Sequence, residues 1–360
     1  MANTAQAPRV PHLMLRNLRR DYFSDWFSTL LTLVCVGILG TAAWLLLDWG
    51  LLHATFLGTA RQPECASAGG ACWSIIANRW RLIFFGLYPY EEHWRSAIAC
   101  LIVVVTVFLS CLPAFWTAKR LSALWIISYV TFMIFMKGGI FGMPLIREEQ
   151  WGGLALTLFV FVSTVIIGMP AAIVLALLRN SDMPLIARVT GVMIDAVRSV
   201  PLLSILFTFA LVIPFMLPTF LVGEKLYRVI AGSALFFAAY QAEIIRGGMQ
   251  GVARGQDEAA KALGIKYWHR VSRISLPQAF RNALPATINQ VVITFMETSI
   301  VVIVGFFDLL ASANTAFGTG EWSFAYAEVY VFVAAIYFVF VFGLSRYGAY
   351  LEKRLAVGQH

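Results

Sequence analysis

The chain has 360 residues, of which 60% are hydrophobic and only 13% are charged. A soluble globular protein carries about 25% charged residues, so this composition excludes a soluble domain and predicts an all-α integral membrane protein. The 27 Lys and Arg residues outnumber the 19 Asp and Glu residues. An excess of basic residues is expected in the cytoplasmic loops of a membrane protein, so the charge does not indicate a nucleic acid partner.

Apolar runs along the chain predict about eight transmembrane helices. A helix needs about 20 apolar residues to cross a bilayer core of about 30 Å. The first run, Trp26 to Leu47, meets this length without a charged residue. The predicted spans are 26–47, 96–118, 121–141, 151–178, 201–223, 229–242, 284–307 and 327–345.

Charge along the chain predicts the orientation of these spans. An even number of spans places both termini on the same side, together with a long basic segment at 246–284, here called the central loop. Basic segments favour the cytoplasm. The amino terminus has no small-residue cleavage site after a short apolar core, so we expect a retained cytoplasmic tail.

A stretch rich in Gly, Pro and charge, residues 138–150, is the best candidate for a domain boundary. Residues 1–150 would then hold the cytoplasmic tail, three accessory spans and a periplasmic loop. Residues 151–346 would form a five-helix core that contains the central loop, and 347–360 a second cytoplasmic tail.

The periplasmic loop contains Cys65 and Cys72, separated by six residues that include two glycines. In an oxidising compartment these residues can form a disulfide, but two free thiols are an equal alternative, because sequence gives possible pairings only. The chain has no Cys-x-x-Cys pair and its five His residues are scattered. We therefore predict no metal site.

The central loop has the pattern of two short helices. Asp257 and Glu258 favour the amino-terminal end of a helix over 257–263, and Gly264 stands where a left-handed cap would end it. A second helix is predicted from about Lys266 to Ser275, ended by Pro277. Because one side of this pair is apolar and the other basic, the loop is suited to contact a partner at the membrane surface. A basic loop that only sets topology is the simpler alternative.

The spacing within this loop resembles that of a known family. Glu-Ala-Ala at 258–260, three residues, Gly264, nine residues and Ile-x-Leu-Pro at 274–277 are similar in every fixed position to the cytoplasmic loop of ABC importer permeases. The flanks at 239–248 and 276–285, with Arg-Ser-Val-Pro at 198–201, resemble the permeases for polar amino acids. The resemblance covers 151–346. The amino-terminal extension resembles the larger permease of general L-amino acid systems.

The resemblance implies a type I ABC importer permease core in a bacterial inner membrane. The central loop would then be a coupling helix docked in a groove of a cytoplasmic ATPase dimer, which holds ATP and Mg. The residues implied in coupling are Asp257, Glu258, Ala259, Ala260, Gly264, Ile274, Leu276 and Pro277. No Gly-x-x-x-x-Gly-Lys-Ser/Thr motif occurs, so we expect no nucleotide site, no catalytic residue and no cofactor in this chain.

Further partners follow from the same resemblance. We expect a periplasmic amino acid binding protein, an amino acid substrate and surrounding membrane lipid. We also expect a second permease subunit, and the long extension favours a heterodimer with a shorter relative over a homodimer.

A polar group near the middle of the span after the loop suggests the substrate path. Glu297 lies in an apolar helix, where an acidic side chain costs a few kcal/mol and a functional or paired role is expected. It could accept the ammonium group of an amino acid, with Thr298, Ser299 or Asn289 as donors to the carboxylate. The alternatives are a structural carboxylate bonded to a neighbouring helix and, for Asn289, a helix-packing role. Met296 replaces the Lys that is common in the family at this place.

Two other functions are compared with this one. An ion-coupled secondary transporter would show pseudo-symmetric halves and paired intramembrane charges, and neither is found in the sequence. An intramembrane enzyme would need a catalytic pattern such as His-Glu-x-x-His or Gly-x-Ser-x-Gly, and the chain contains neither.

Overall fold

The computed structural model describes residues 21–56, 65, 67, 69–318 and 320–356. The predicted tail before residue 21 and the last four residues lie outside this part of the chain. The structure divides into two compact units, Met1–Ala77 and Asn78–His360. Each unit is described by itself.

The described residues of the first unit include a long apolar helix and part of a loop. Helix α1 (Trp26–Leu47) begins after Asp25, whose carboxylate accepts a 2.7 Å hydrogen bond from the Ser28 amide. It continues as a π-turn through Asp48–Leu52, and no residue of Trp26–Leu47 is buried. In the loop, Cys65 and Cys72 are joined by a disulfide.

The second unit is an array of helices. Before the central loop the helices are α2 (Ser74–Phe85, which starts in the first unit), α3 (His93–Ser110), α4 (Ala118–Lys137), α5 (Gly153–Arg179), α6 (Pro184–Ser199), α7 (Leu202–Phe207) and α8 (Lys225–Gln250). From the loop onward they are α9 (Arg254–Ala262), α10 (Tyr267–Arg270), α11 (Leu276–Glu297), α12 (Leu309–Phe317) and α13 (Tyr326–Ala356). The described residues also form two short helices, Ile213–Met216 and Thr219–Val222, and one two-residue strand, β1 (Phe307–Asp308). Short 3₁₀ and π-helical segments join several helices, among them Thr208–Val212 after α7 and Thr298–Val304 after α11.

The prediction of about eight spans is confirmed. Within the described residues, seven helical segments are long and apolar enough to cross a membrane. The count is eight if the pair Pro184–Ser199 and Leu202–Met216, bent by 102°, is taken as one broken span. The predicted span 201–223 overlaps only the second half of this pair. The bend falls at Val200 and Pro201, because a residue that precedes proline is driven out of the helical region, and Val200 has φ −103° and ψ 134°.

Two predicted spans, 96–118 and 121–141, are shifted relative to the structure. Helix α3 already begins at His93 because Arg95 is fully buried in its first turn. The Arg95 guanidinium donates to the carbonyl oxygens of Phe135, at 2.7 Å, and Pro144, at 3.0 Å. The turn between α3 and α4 is residues 111–117, and Lys119 and Arg120 belong to α4. A charged residue therefore did not mark a helix end here.

Helices α3 and α4 form an accessory hairpin that packs on the first core helix. The Phe132 ring stacks on Phe159 of α5 at 5.4 Å, and the Tyr129 hydroxyl lies 3.2 Å from the Ser163 oxygen. The predicted domain boundary, residues 138–150, therefore lies inside the second unit. A separate core that begins at residue 151 stays a prediction.

Helices α5, α8 and α11 form the centre of the second unit. A side chain at Gly168 of α5 would meet the Phe237 ring at 2.6 Å and the Ala234 carbonyl oxygen at 3.0 Å, both on α8. These two helices can approach this closely only because residue 168 has no Cβ. The close crossing places polar side chains of α5 beside those of α8.

Candidate functional site

The central loop begins with a short helix that ends at a glycine. Helix α9 starts at Arg254, three residues before the predicted start, and ends at Ala262. Gly264 has φ +69°. Its amide donates to the Lys261 carbonyl at 2.9 Å, and the Ile265 amide donates to the Ala260 carbonyl at 3.0 Å. These bonds satisfy the last carbonyls of the helix in the way that a left-handed glycine cap does.

Asp257 holds the two short helices of the loop together. One carboxylate oxygen lies 2.7 Å from Lys261 Nζ, one turn along the same helix. The other lies 2.6 Å from Arg270 Nε on α10. Asp257 therefore has an internal role, which fixes the angle between α9 and α10.

The family motif divides into an outward part and an inward part. Glu258, Ala259 and Gly264 are exposed, and a Cβ at Gly264 would meet nothing within 4 Å. Ala260 is only 3% exposed and packs within the chain. Leu263 is 78% exposed beside them, although an isolated apolar side chain outside the membrane gains from being covered.

The prediction that Pro277 ends a helix is wrong. Helix α11 begins at Leu276, and the segment Tyr267–Val304 runs as one span-forming helical segment through Pro277. The residues before it, Val271–Ser275, form a π-turn. A π-turn widens the helix where the proline ring would clash with the carbonyl four residues earlier. Gln278 Nε2 donates to the Ile274 carbonyl at 2.9 Å at this place.

The inward part of the motif anchors the loop in the core. Leu276 packs against an apolar cluster that includes Ala176 of α5 and Ile194 of α6. A Cβ at Gly248 of α8 would collide with the Ala279 carbonyl oxygen of α11. The helices that enter and leave the loop are thus packed backbone to backbone, and further polar contacts join them, from Asn282 Nδ2 to the Gly248 carbonyl (3.2 Å) and from Gln241 Nε2 to Thr287 Oγ1 (2.8 Å).

A cavity lies between α5, α8 and α11, further from the loop. Its polar lining consists of Thr164, Ser233, Thr294, Glu297 and Thr298. Its apolar lining includes Phe236, Phe237 and Val301. We call it the Glu297 cavity.

Glu297 has no hydrogen-bond or ion-pair partner among the residues that the structure describes. Thr164 is 2% exposed, and its hydroxyl oxygen has no partner either. The Thr298 hydroxyl already donates to the Phe295 carbonyl at 2.7 Å. The cavity therefore exposes the Glu297 carboxylate and the Thr164 hydroxyl, and its volume of about 10 Å³ holds about one water molecule. An unpartnered polar group in an apolar surrounding is costly unless a ligand satisfies it.

The other two predicted substrate residues lie elsewhere. Asn289 is exposed and does not line the cavity. Ser299 does not line it and donates to the Met296 carbonyl at 3.0 Å. Sequence reasoning missed Thr164 and Ser233, which stand on other helices, and no local pattern distinguishes them from ordinary helix residues.

Sequence reasoning also missed a cluster of charges at the loop-side ends of three core helices. It consists of Arg179 from α5, Asp195 and Arg198 from α6, and Glu243 and Arg246 from α8. Arg198 was considered only as part of the Arg-Ser-Val-Pro motif at 198–201, and Arg179 was not singled out. Glu243 within a long helix is the one indication that these charges have partners. We call this group the Arg179 cluster.

Within the described part of the chain, no three His, Cys, Asp or Glu side chains are placed to hold a metal ion. The predicted residues therefore fall into two places on one helical frame. The outward residues stand on the central loop, and the Glu297 cavity lies within the spans. Together they define a multi-span membrane protein with a small cavity of mixed polar and apolar lining and a helical loop with exposed side chains.

Comparisons with known proteins agree with this class. A family model described as "Binding-protein-dependent transport system inner membrane component" matches residues 168–357. The inner membrane amino-acid ABC transporter permease protein YhdY of Escherichia coli (strain K12) is 37% identical, over 95% of this chain and 93% of its own length. The glutamate/glutamine/aspartate/asparagine transport system permease protein BztC of Rhodobacter capsulatus is 30% identical, over 94% of this chain and 93% of its own length.

Among solved structures, the crystal structure of an amino acid ABC transporter with histidines is 32% identical, with a TM-score of 0.49, over 56% of this chain and 92% of that one. The chain belongs to the family of binding-protein-dependent transport system inner membrane components. Its relatives are amino-acid ABC transporter permeases, and it is an ABC importer permease subunit. In this family ATP hydrolysis is performed by a separate subunit, so the chain is a transport subunit and not an enzyme.

Proposed function

We propose that this permease moves polar amino acids inward across a bacterial inner membrane, from a periplasmic binding protein to the cytoplasm. The observation that carries the proposal is the outward face of the central loop. Glu258, Ala259 and Gly264 are exposed there. The helices that enter and leave the loop, α8 and α11, are packed closely against each other. Such a loop passes a force from a partner to the spans. The side of the membrane on which the loop lies would then be the cytoplasmic side, and both termini would lie there too.

The partner at this loop would be an ATPase dimer that holds ATP and Mg. Gly264 supports this docking because its left-handed φ and open surroundings let another backbone approach. Leu263 and Trp268, 78% and 70% exposed, supply apolar area on the same loop. Apolar and aromatic anchors of this kind commonly dominate protein interfaces.

Co-purification from native membranes tests the docking. Tagged wild-type protein should bring down an ATPase and a second permease, and Gly264→Asp should lose the ATPase and amino acid uptake. Gly223→Asp is the matched control, because Gly223 also has a positive φ, +59°, with nothing within 4 Å of a Cβ. It lies at the other end of α8 and should retain the ATPase. If the wild type brings down neither subunit, or Gly264→Asp leaves uptake unchanged, the proposed coupling is wrong.

The same purification tests the second permease. We propose a heterodimer, because the accessory hairpin adds to this chain a part that lies outside the matched family segment 168–357. Intact mass of the purified complex should show one copy of this chain with one shorter permease. Two copies of this chain would overturn the heterodimer.

The proposed substrate site lies at the Glu297 cavity, whose volume of about 10 Å³ in this structure has to increase before an amino acid can enter. The Glu297 carboxylate would accept the ammonium group of the amino acid, and the free Thr164 hydroxyl would donate to its carboxylate. Burial of a zwitterion requires both, because unpaired charges are strongly unfavourable in an apolar surrounding. The substrates in the name of the relative BztC are polar amino acids, which supports this class.

Uptake by Glu297→Gln tests the site. A hydrogen bond to a charged group contributes about 1.5 to 3 kcal/mol, so uptake at low substrate concentration should fall at least about tenfold. Glu149→Gln, an exposed carboxylate in the Glu148–Gln150 turn, is the control and should transport normally. Unchanged uptake with the same substrate range in Glu297→Gln would remove Glu297 from the site.

The ion-coupled alternative has no support in the relatives, which are ABC permeases. It also makes a separate prediction. Uptake into proteoliposomes should need ATP and the ATPase, and not an ion gradient. Uptake by this chain alone, driven by a gradient, would reverse the conclusion.

A further inference from the structure

Arg179, the last residue of α5, joins three core helices through one guanidinium group. Its Nη1 and Nη2 lie 2.9 and 3.2 Å from the two carboxylate oxygens of Asp195, and Nη1 donates to the Gly191 carbonyl at 3.3 Å, both on α6. Its Nε lies 3.0 Å from Glu243 Oε1 on α8. The planar fork of arginine suits such a set of acceptors, and lysine cannot reproduce it.

Glu243 is the second centre of the Arg179 cluster. It accepts from Arg246 Nη2 at 2.8 Å, and Arg198 Nη1 lies 4.0 Å away. The side chain of Glu243 is only 13% exposed and that of Arg179 20%. Charges with so little exposure are screened by salt much less than surface pairs, so the Arg179–Glu243 pair holds α5 and α8 more firmly than an ordinary surface ion pair. The side chain of Asp195, the partner on α6, is 57% exposed, and its hold on Arg179 rests on the two-pronged geometry of the contact.

The cluster lies between the central loop and the Glu297 cavity along α8. Glu243 precedes Gly251, where α8 ends, by eight residues, or about 12 Å of helix. Ser233, which lines the cavity, lies ten residues before Glu243 on the same helix. A displacement that enters α8 from the loop therefore reaches the cluster before it reaches the cavity.

We propose that Arg179 is a positioning residue for coupled transport, which ties α5 and α6 to α8 so that the three helices move together when the loop moves. This inference rests on the proposed function. The cavity is lined by residues of α5 and α8. Its shape therefore changes in a defined way only if these two helices keep their relative positions at their ends near the central loop. Without the tie, α8 moves alone, and ATP is hydrolysed without import.

A purely structural role for Arg179 would have a different result. A residue that only holds the fold would, when replaced, lower the amount of assembled complex and reduce import and hydrolysis in proportion. A residue that only marks topology would be replaceable by any basic side chain. The quantity that separates these roles is the number of amino acids imported per ATP hydrolysed.

The experiment uses the whole complex of permeases and ATPase in proteoliposomes, with binding protein and amino acid outside. Import and ATP hydrolysis are measured together for wild type, Arg179→Gln and Arg179→Lys. The control is Arg188→Gln, which removes the same charge from an exposed position on α6 where the described residues provide no partner. If Arg179→Gln does not assemble, Arg179→Lys carries the test.

Residues within a coupling network change coupling by about 0.5 to 2 kcal/mol, so Arg179→Gln should lower import per ATP about fivefold while hydrolysis continues. Arg179→Lys should lie between it and wild type, and Arg188→Gln should match wild type. An unchanged ratio in both Arg179 variants, a proportional fall of import and hydrolysis, or an equal effect of Arg188→Gln would overturn the proposal. A wild-type complex without ATP-driven import would instead refute the proposed function.

Discussion

Two carboxyl groups in the core have opposite surroundings. Asp308 is fully buried, and its carboxylate accepts from the Ala311 amide at 3.0 Å, the Leu310 amide at 3.2 Å and the Tyr337 hydroxyl at 3.3 Å. Glu297 has no such partner among the described residues. Asp308 is buried, and Glu297 is partly exposed. The hydrogen bonds of the carboxylate oxygens distinguish the structural acid from the functional one, since a fully bonded carboxylate has no free site for a ligand.

The largest expected effect on stability comes from replacing Asp308, whose carboxylate is fully hydrogen-bonded. Asp308→Ala removes the N-cap of α12 and leaves two amides and a hydroxyl without their acceptor, so the free energy of unfolding should fall by about 3 kcal/mol. Thermal unfolding of the purified permease measures this. Glu149→Ala, at an exposed position, should unfold like wild type. An Asp308→Ala variant of wild-type stability would contradict a structural role.

Replacing Glu297, whose carboxylate has no partner among the described residues, should raise stability where replacing Asp308 lowers it. Glu297→Met replaces an unpaired acidic group by an apolar one of similar length, so the free energy of unfolding should rise by about 1 kcal/mol while uptake is lost. The same unfolding assay, combined with uptake, measures both. A loss of stability would show that Glu297 is bonded to a neighbour in the native protein.

A third carboxyl group lies between these extremes. Glu148 accepts from Lys137 Nζ and from the Tyr227 hydroxyl, both at 2.8 Å. Burial by itself would raise the pKa of Glu148, but the bonds from Lys137 and Tyr227 outweigh it and hold the pKa below its usual value.

Glu148→Gln should therefore lower the free energy of unfolding by about 1 kcal/mol near neutral pH. A carboxyl with a depressed pKa contributes stability above its unfolded value of 4.5 and loses it as the pH falls further. The difference between wild type and Glu148→Gln should thus shrink as the pH is lowered below 4.5. Thermal unfolding across this range measures it, and a constant difference would mean that the charge of Glu148 is not involved.

The smallest effect on stability is expected at the free hydroxyl of the cavity. Thr164→Val removes an oxygen that has no partner among the described residues, so the unfolding temperature should not fall. If the hydroxyl binds the substrate carboxylate, KM for uptake should rise about tenfold or more, because a hydrogen bond to a charged group contributes about 1.5 to 3 kcal/mol. Thr190→Val on α6, buried but away from the cavity lining, is the control for KM. An unchanged KM in Thr164→Val would exclude Thr164 from the substrate site.

The spans could be predicted from the sequence because backbone groups in a bilayer must be bonded within their own helix. Their ends were predicted less well. Arg95 and Glu243 look like loop residues by charge, yet they lie inside helices because each finds acceptors or donors on a neighbouring helix. Pro277 looks like a terminator, and a π-turn lets the helix pass it. In each case a contact that is remote in sequence, or a local adjustment of the helix, decided the outcome.

The sequence by itself determined the class of protein, the approximate number of spans and the first helix of the central loop with its glycine cap. Composition and local spacing are sufficient for these, because helix propensity, the φ of Gly264 and the cost of charge in lipid all act within one segment. Tertiary structure alone decided that Arg179, Asp195 and Glu243 meet, that Thr164 faces the same cavity as Glu297, and that Asp308 is satisfied while Glu297 is not. These properties depend on which helices are neighbours, and the spacing of residues within one helix does not contain that information.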